Sequence, residues 1–211
     1  MEQTVQLNVH YLLVQLCCVI NGWLSMEIIE TSISDLIVVR LSEHQDCRGT
    51  FNRAYCLCEF EKLIGNRTIK QINLSLTNKS GAIRGLHLQL PPHFEMKLVQ
   101  CLKGAVWDVA VDLRQGSPTF LKWHAEELSE KNIRLLVIPD GFAHGFQVIE
   151  TESQLMYMHT DFYTSDFEIG FCHDDPLLDI SWPHTPSDIL KRDQAHSLLD
   201  QNFIGLDFEL P

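Results

Sequence analysis

The feature that most constrains the fold is a two-residue alternation of apolar and polar side chains, which recurs from Met26 onward and is broken by Gly, Pro and Asn. This period indicates half-buried β-strands, and stretches with helical period are few. Nine strands are predicted, at Leu36–Leu41, Ile69–Thr77, Ala82–Gln89, Lys97–Leu102, Ala105–Leu113, Phe120–Leu128, Arg134–Ile138, Gly145–Ile149 and Ser153–Tyr163. Short helices are expected around Cys56–Leu63 and Pro186–Leu199. Many short strands favour a β-sandwich or jelly roll over a βαβ fold.

The first 25 residues differ from the rest of the chain. Residues 11–24 form its only long apolar stretch, which is too short and interrupted for a membrane-spanning helix of about 20 apolar residues. No Lys or Arg occurs before Arg40, so the basic region of a secretory signal is missing. We therefore expect residues 1–25 to be a disordered or mis-started extension, and residues 26–211 to form one domain.

Charge and cysteine usage narrow the range of functions. Sixteen Lys and Arg against twenty-eight Asp and Glu give a net charge of -12, which argues against nucleic acid or an anionic membrane as partner. A few well-placed Arg residues can still bind an anionic small molecule. The seven Cys include no C-x-x-C pair, so neither a disulfide scaffold nor a zinc knuckle is indicated. A reducing cytoplasm is the expected location.

Polar side chains lie at strand positions where apolar ones are expected. Within Ala105–Leu113, Asp108 and Asp112 share one face, which could be solvated or could line a polar interior. Ionisable side chains on other strands and turns favour the interior, namely His87, Lys97, His144, Tyr157 and His159. Because such groups are costly to bury, a barrel that points them inward is expected to hold a ligand or a reaction.

Several segments, taken together, resemble one known family. They include RGLHLQ (84–89), KLV (97–99), DVAVDLR (108–114), SPTF (117–120), IPDGFAHGF (138–146) and ISWP (180–183). Their order resembles that of the dTDP-4-dehydrorhamnose 3,5-epimerase family over roughly residues 26–200. The resemblance implies a mainly β cupin jelly roll with a few short helices. It also implies a homodimer that acts on a nucleotide-linked 4-keto-6-deoxy sugar without a metal or redox cofactor.

The resemblance gives catalytic roles to four residues. His87 matches the general base, a role that suits an imidazole because its pKa starts near neutrality. Asp193 matches the carboxylate that orients this ring, and Lys97 matches the group that stabilises negative charge on the C4 oxygen. Tyr157 matches the general acid, which returns a proton to the sugar from the face opposite His87.

The resemblance also implies substrate contacts outside the proton-transfer residues. The full set is Arg48, Arg84, Gln71, Asn73, Gln89, Asp108 and His144. The two arginines match contacts to the diphosphate, and Arg48 is expected to act across a dimer interface because the family exchanges N-terminal strands. Gln71 and Asn73 match nucleotide contacts. His144 and Asp108 are expected to tune the charge around Lys97 and the sugar.

Some alternatives stay open at this point. Many cupins bind a metal through a His-x-His pair, but Gln89 stands at the second position and the ammonium of Lys97 would oppose a cation. A metal-dependent cupin oxygenase is therefore disfavoured. A non-catalytic sugar-nucleotide binding module is disfavoured because all four catalytic positions are filled. At positions 44, 53 and 95 this sequence has His, Arg and Glu, which differ from the residues usual in the family. These differences leave open the possibility of an enzyme that inverts only C3 or only C5, on a CDP- or GDP-linked sugar.

Overall fold

The computed structural model describes residues 26–207, and the extension predicted at residues 1–25 lies outside them. The strands are β1 (Glu27–Glu30), β2 (Ile37–Arg40), β3 (Glu43–Asp46), β4 (Gly49–Asn52), β5 (Gln71–Thr77), β6 (Ile83–Gln89), β7 (Lys97–Lys103), β8 (Ala105–Asp112), β9 (Trp123–Ser129), β10 (Arg134–Ile138), β11 (Phe142–Val148), β12 (Ser153–His159) and β13 (Glu168–Gly170). The helices are α1 (Leu57–Ile64), a short 3₁₀ turn (Ser165–Phe167) and α2 (Lys191–Gln194).

The described chain divides into two compact units. The smaller unit comprises residues 26–27 and 41–68, and it contains the β3–β4 hairpin and α1. Helix α1 buries Phe60 and Ile64, and the ring of Tyr55 meets Phe60 edge-on at 5.0 Å. The larger unit comprises residues 28–40 and 69–207.

Two antiparallel sheets build the larger unit. One has the strand order β1-β2-β10-β7-β12-β5, and the other has the order β13-β6-β11-β8-β9. Apolar side chains of both sheets form a common core, with Val99 and Leu136 from the first sheet and Val106, Ala110 and Phe142 from the second. Each fully buried Val, Leu or Phe side chain of this core stabilises the fold by about 1.5–3 kcal/mol. The two sheets therefore form a sandwich, as the alternation predicts.

The polar face of β8 is buried. Val106 and Ala110 lie in the common core, while Val109 and Val111 pack on the opposite face in a second cluster that includes Leu178. Asp108 and Asp112, which share the face of Val106 and Ala110, have no exposed surface. Of the two expectations for this face, the polar interior is therefore correct.

The sequence did not predict every element. The helix expected over Pro186–Leu199 is wrong apart from α2, because Ser187 and Asp188 hydrogen-bond to the backbone of Gly81 and Ile83 and hold this segment extended. The β3–β4 hairpin was missed because all of its residues are exposed and show no apolar alternation.

Candidate functional site

A cavity of about 290 Å³ is lined by side chains from both large sheets. Strands β5, β7 and β12 contribute from one sheet, β6 and β11 from the other, and the segment around α2 adds further groups. The polar lining comprises Asn73, Ser75, Arg84, His87, Gln89, Glu95, Lys97, His144, Tyr157, His159, Tyr163, Glu168, Arg192 and Asp193. All four residues predicted to be catalytic therefore line a single cavity.

His87 on β6, which is partly buried, pairs with the buried Asp193 in α2. The Nε2 atom of His87 lies 3.0 Å from Oδ1 of Asp193, whose side chain is 1% exposed. Burial is the main influence on the pKa of His87 and lowers it, while the hydrogen bond to Asp193 acts in the opposite direction. Burial is the largest influence on the pKa of Asp193 and would raise it, but the contacts with His87, Gly85 and Arg192 together hold that pKa below its ordinary value. An ionised Asp193 that accepts the Nε2 hydrogen leaves Nδ1 of a neutral His87 as the proton acceptor.

A glycine two residues before His87 makes this pairing possible. Gly85 has φ of +108°, and a Cβ there would lie 2.6 Å from both Cα of Gly145 and the carbonyl oxygen of His144. The backbones of β6 and β11 can approach this closely only without that Cβ. The backbone N–H of Gly85 also donates to Oδ2 of Asp193 at 3.4 Å, so the same residue helps to fix the carboxylate.

Tyr157 reaches the cavity from β12, in the sheet opposite His87. Its hydroxyl lies 3.0 Å from Oγ of Ser75 on the neighbouring strand. The ring stacks on His159 at 6.1 Å and meets the ring of His144 edge-on at 6.3 Å. Burial raises the pKa of Tyr157 well above its ordinary value, and the contact with Ser75 only partly offsets this. The phenol therefore keeps its proton near neutral pH.

Lys97 is held by a buried carboxylate. Oε1 of Glu95 lies 3.2 Å from the Lys97 ammonium, and Oε2 accepts a hydrogen bond from Nδ1 of His159 at 2.8 Å. Burial alone would raise the pKa of Glu95, but the hydrogen bond from His159 and the charge of Lys97 outweigh it and keep the pKa below its ordinary value. The cavity therefore contains a fixed cation whose orientation is set by an ionised Glu95.

A second histidine–carboxylate pair lies on β8 and β11. Nε2 of His144 is 2.9 Å from Oδ1 of Asp108, and both side chains are buried. Burial raises the pKa of Asp108, although the charge of His144 acts against this. His144 is also the register partner of His87 across β11 and β6. Two imidazoles, each with its own carboxylate, thus lie side by side on one sheet.

The predicted substrate-binding residues divide into two groups. Arg84, Asn73, Gln89 and His144 line the cavity. The guanidinium of Arg84 donates a hydrogen bond to Thr77 Oγ1 at 2.9 Å. The side-chain amide of Gln89 hydrogen-bonds to backbone groups of His93, Phe162 and Thr164.

The other three predicted residues are not part of that lining. Asp108 acts on it through His144, and the Gln71 amide oxygen accepts the backbone N–H of Tyr163. Arg48 belongs to the smaller unit, where it is exposed and pairs with Asp46. Their predicted contacts to substrate remain predictions.

Several side chains that line the cavity were not predicted from the sequence. Arg192 places Nη2 3.3 Å from Nε2 of His87 and Nη1 2.9 Å from Oε1 of Glu168. Tyr163 lines the same side. Tyr163 lies in an irregular segment, Glu168 in the three-residue strand β13 and Arg192 in the four-residue helix α2, and none of these segments is long enough to show a periodicity. The position of Arg192 next to Asp193 was the only available signal.

Comparison with known proteins places this arrangement in one family. Residues 30–201 match the family model described as dTDP-4-dehydrorhamnose 3,5-epimerase. A protein of that name from Sinorhizobium fredii is 40% identical over 159 residues, which cover 75% of this chain and 82% of the relative. One from Salmonella typhimurium is 39% identical over 178 residues, which cover 83% of this chain and 97% of the relative.

Solved structures agree with this assignment. The Legionella pneumophila dTDP-6-deoxy-D-glucose-3,5-epimerase, in complex with dTDP-4-keto-L-rhamnose, has a TM-score of 0.80 and 36% identity, covering 86% of this chain and 98% of that one. The Bacillus anthracis dTDP-4-dehydrorhamnose 3,5-epimerase, with TDP and PPi bound, has a TM-score of 0.80 and 37% identity, covering 83% of this chain and 100% of that one.

Over residues 26–207, no helix has the length and apolar character needed to cross a membrane.

The predicted family, the cupin-type β fold and the isomerase class are therefore confirmed, and the substrate is a nucleotide-linked sugar. Neither the oxygenase nor the binding module is supported by these relatives. This chain belongs to the dTDP-4-dehydrorhamnose 3,5-epimerase family.

Proposed function

We propose that this protein inverts C3 and C5 of a dTDP-linked 4-keto-6-deoxy sugar by removing and returning protons, without a metal or redox cofactor. The observation that carries the proposal is the common cavity of His87, paired with Asp193, and Tyr157, which belong to opposite sheets. Inversion at a carbon requires a base on one face and an acid on the other, and this arrangement supplies both. Family membership supports the choice of sugar nucleotide.

The first step is proton removal next to the ketone. Nδ1 of His87 takes the proton, and the electron pair of the C–H bond forms a C=C bond to C4, whose oxygen becomes an enolate. Asp193 stabilises the imidazolium that forms. The ammonium of Lys97, oriented by Glu95, stabilises the negative charge on the C4 oxygen.

The second step returns a proton to the opposite face. The Tyr157 hydroxyl donates to the carbon, the C=C electrons form the new C–H bond, and the ketone reforms. The phenolate takes a proton back from solvent and His87 releases its own, so that each inversion exchanges one carbon-bound hydrogen with water. The same cycle at the other carbon adjacent to C4 completes the double epimerisation.

Deuterium uptake tests this proposal. With a dTDP-4-keto-6-deoxyglucose substrate in heavy water, we expect label at both C3 and C5. His87→Asn should abolish uptake, whereas His184→Asn, which changes an exposed histidine, should not. Tyr157→Phe should spare first-step exchange more than full epimerisation. Absence of label with the intact protein would refute the proposal, and label at one carbon only would restrict it to a single inversion.

We also propose a homodimer with exchanged N-terminal strands, in which Arg48 of one protomer contacts the diphosphate bound to the other. Strand β5 ends its sheet and turns Ile72, Leu74 and Leu76 outward, each more than half exposed. An apolar edge of this kind is normally covered. Sedimentation of the wild type and of Leu74→Asp tests the dimer, because a monomeric wild type would exclude it. Arg48→Ala should then raise KM for the substrate.

We propose a cytoplasmic location on chemical grounds. Five cysteines in the described part of the chain are free, including the buried Cys101 and Cys172. Free thiols of this number are typical of a reducing compartment. Cell fractionation with an antibody against the protein tests this location, and recovery outside the cytoplasmic fraction would contradict it.

A further inference from the structure

A third side chain, His196, completes a cluster around Asp193 that the proposed reaction does not use. One donor atom each from His87, Asp193 and His196 lies within 4.8 Å of the other two. Nε2 of His196 is 3.7 Å from Oδ1 of Asp193. This nitrogen is buried and makes no hydrogen bond within residues 26–207. A buried ring nitrogen without a partner is unfavourable, and a ligand shared with the nearby Asp193 carboxylate would satisfy it.

The fold holds the three donors from three different segments. His87 lies on β6, Asp193 lies in α2, and His196 follows α2. Gly170 on β13 is the register partner of His87, and a Cβ on Gly170 would lie 2.0 Å from Nε2 of His196. The glycine therefore leaves room for the second imidazole, whose ring meets that of His87 edge-on at 5.9 Å.

The donor set suits a transition metal. Imidazole nitrogen and carboxylate oxygen bind Zn²⁺ at about 2.0–2.2 Å, which places neighbouring ligand atoms of a tetrahedral site about 3.3–3.5 Å apart. The distances from Oδ1 of Asp193 to the two histidine nitrogens are 3.0 and 3.7 Å, on either side of that range. We propose that His87, Asp193 and His196 bind a divalent transition-metal ion such as Zn²⁺, and that the bound ion inhibits the enzyme.

Inhibition follows from the chemistry of the imidazole ring, and this part rests on the proposed function. A neutral imidazole that binds a metal through Nε2 carries its one ring hydrogen on Nδ1. The proposed base needs the opposite arrangement, with hydrogen on Nε2 and a lone pair on Nδ1. A metal at Nε2 of His87 therefore removes the proton acceptor. It also neutralises Asp193, which otherwise stabilises the imidazolium.

The guanidinium of Arg192 lies beside the proposed ligand atoms and opposes the binding of a cation. Its Nη2 lies 3.3 Å from Nε2 of His87, and its Nε lies 3.3 Å from Oδ1 of Asp193. A guanidinium this close repels a cation, so it must move aside when the metal binds. Its side chain is 54% exposed, which leaves it room to do so. We therefore expect Arg192→Ala to bind Zn²⁺ more tightly than the wild type.

Calorimetric titration of the full-length protein with Zn²⁺ tests binding without reference to activity. All variants carry Cys172→Ser, because Cys172, His173 and Asp174 form another group of possible ligands. We expect His196→Ala to weaken binding at least tenfold and His184→Ala, at an exposed histidine, to leave it unchanged. Equal affinity in the parent and in His196→Ala would overturn the site.

Deuterium uptake then tests inhibition. Metal-free protein should catalyse exchange, Zn²⁺ should suppress it and a chelator should restore it. His196→Ala keeps the proposed base and acid, so it should exchange normally and need at least tenfold more Zn²⁺ for half inhibition. Equal sensitivity of the two proteins, or binding without inhibition, would refute the inhibitory role. Lack of exchange in the metal-free protein would instead refute the proposed function and leave the binding result standing.

Discussion

Replacement of the buried Glu95 by Gln is expected to destabilise the protein in a way that depends on pH. Glu95 is 8% exposed and contacts both Lys97 and His159, at 3.2 and 2.8 Å. At an effective dielectric constant of about 20, charges 3.2 Å apart attract each other by about 5 kcal/mol, and desolvation cancels part of this. Removal of one partner of a buried pair usually costs about 3–5 kcal/mol. Gln keeps the size and one acceptor, so we expect a loss of about 2–3 kcal/mol.

Thermal unfolding measures this loss. For a chain of this size, each kcal/mol shifts Tm by about 2–4 °C, so the variant should melt roughly 5–10 °C below the wild type at pH 7. The folded-state pKa of Glu95 lies below its ordinary value of 4.5. Its contribution is therefore fully present above pH 4.5 and is lost as the pH falls through the folded-state pKa. The difference in Tm should shrink below about pH 4.

Two results would refute this reasoning. Equal Tm values at neutral pH would mean that the Glu95 carboxylate contributes nothing net. A difference that persists undiminished in acid would mean that the loss arises from packing rather than from charge. Glu127→Gln is the matched control, because Glu127 is exposed on β9 and its replacement should change Tm little at either pH.

Three further predictions concern the base and its support. Asp193→Asn should lower kcat/KM about 10²–10⁴-fold with an unchanged circular dichroism spectrum, because the amide cannot hold the same tautomer of His87; a smaller loss would contradict the dyad. The acidic limb of the kcat/KM profile should lie below pH 6.5, since burial lowers the pKa of His87 and the base must be neutral; a limb above 6.5 would contradict this. Gly85→Ala should cost more than about 1 kcal/mol in denaturant unfolding, because φ is positive and the new Cβ would meet the backbone of β11. Gly116→Ala also has positive φ but meets no atom within 4 Å, so it should cost less.

The sequence predicts the sandwich well where a strand is mostly apolar and buried. Strand β10 has the predicted bounds Arg134–Ile138, and β8 differs by one residue, because both are largely buried and rich in β-branched and other apolar residues. The C-terminal segment is different. Its conformation depends on hydrogen bonds to Gly81 and Ile83, about a hundred residues away, and no local pattern records such contacts.

The same distinction applies to the site. Strand alternation singled out His87, Lys97 and Tyr157 as ionisable groups in unexpected positions. Asp193 came only from the family resemblance, because it lies 106 residues from its partner in a four-residue helix. The bridging role of Glu95 required coordinates, since a carboxylate two residues from a lysine is common on exposed strands. Periodicity therefore locates the strand-borne groups, whereas partners from loops depend on tertiary contacts.

The environment common to His87 and Tyr157 explains how one cavity would prepare both the proposed base and the proposed acid. Burial disfavours the charged form of any group. For His87 the charged form is the protonated one, so burial lowers its pKa and keeps the ring ready to accept a proton. For Tyr157 the charged form is the deprotonated one, so burial raises its pKa and keeps the hydroxyl ready to donate. A single physical effect thus favours opposite protonation states on opposite sheets, and Lys97, held by Glu95, supplies the positive charge proposed to stabilise the enolate oxygen between them.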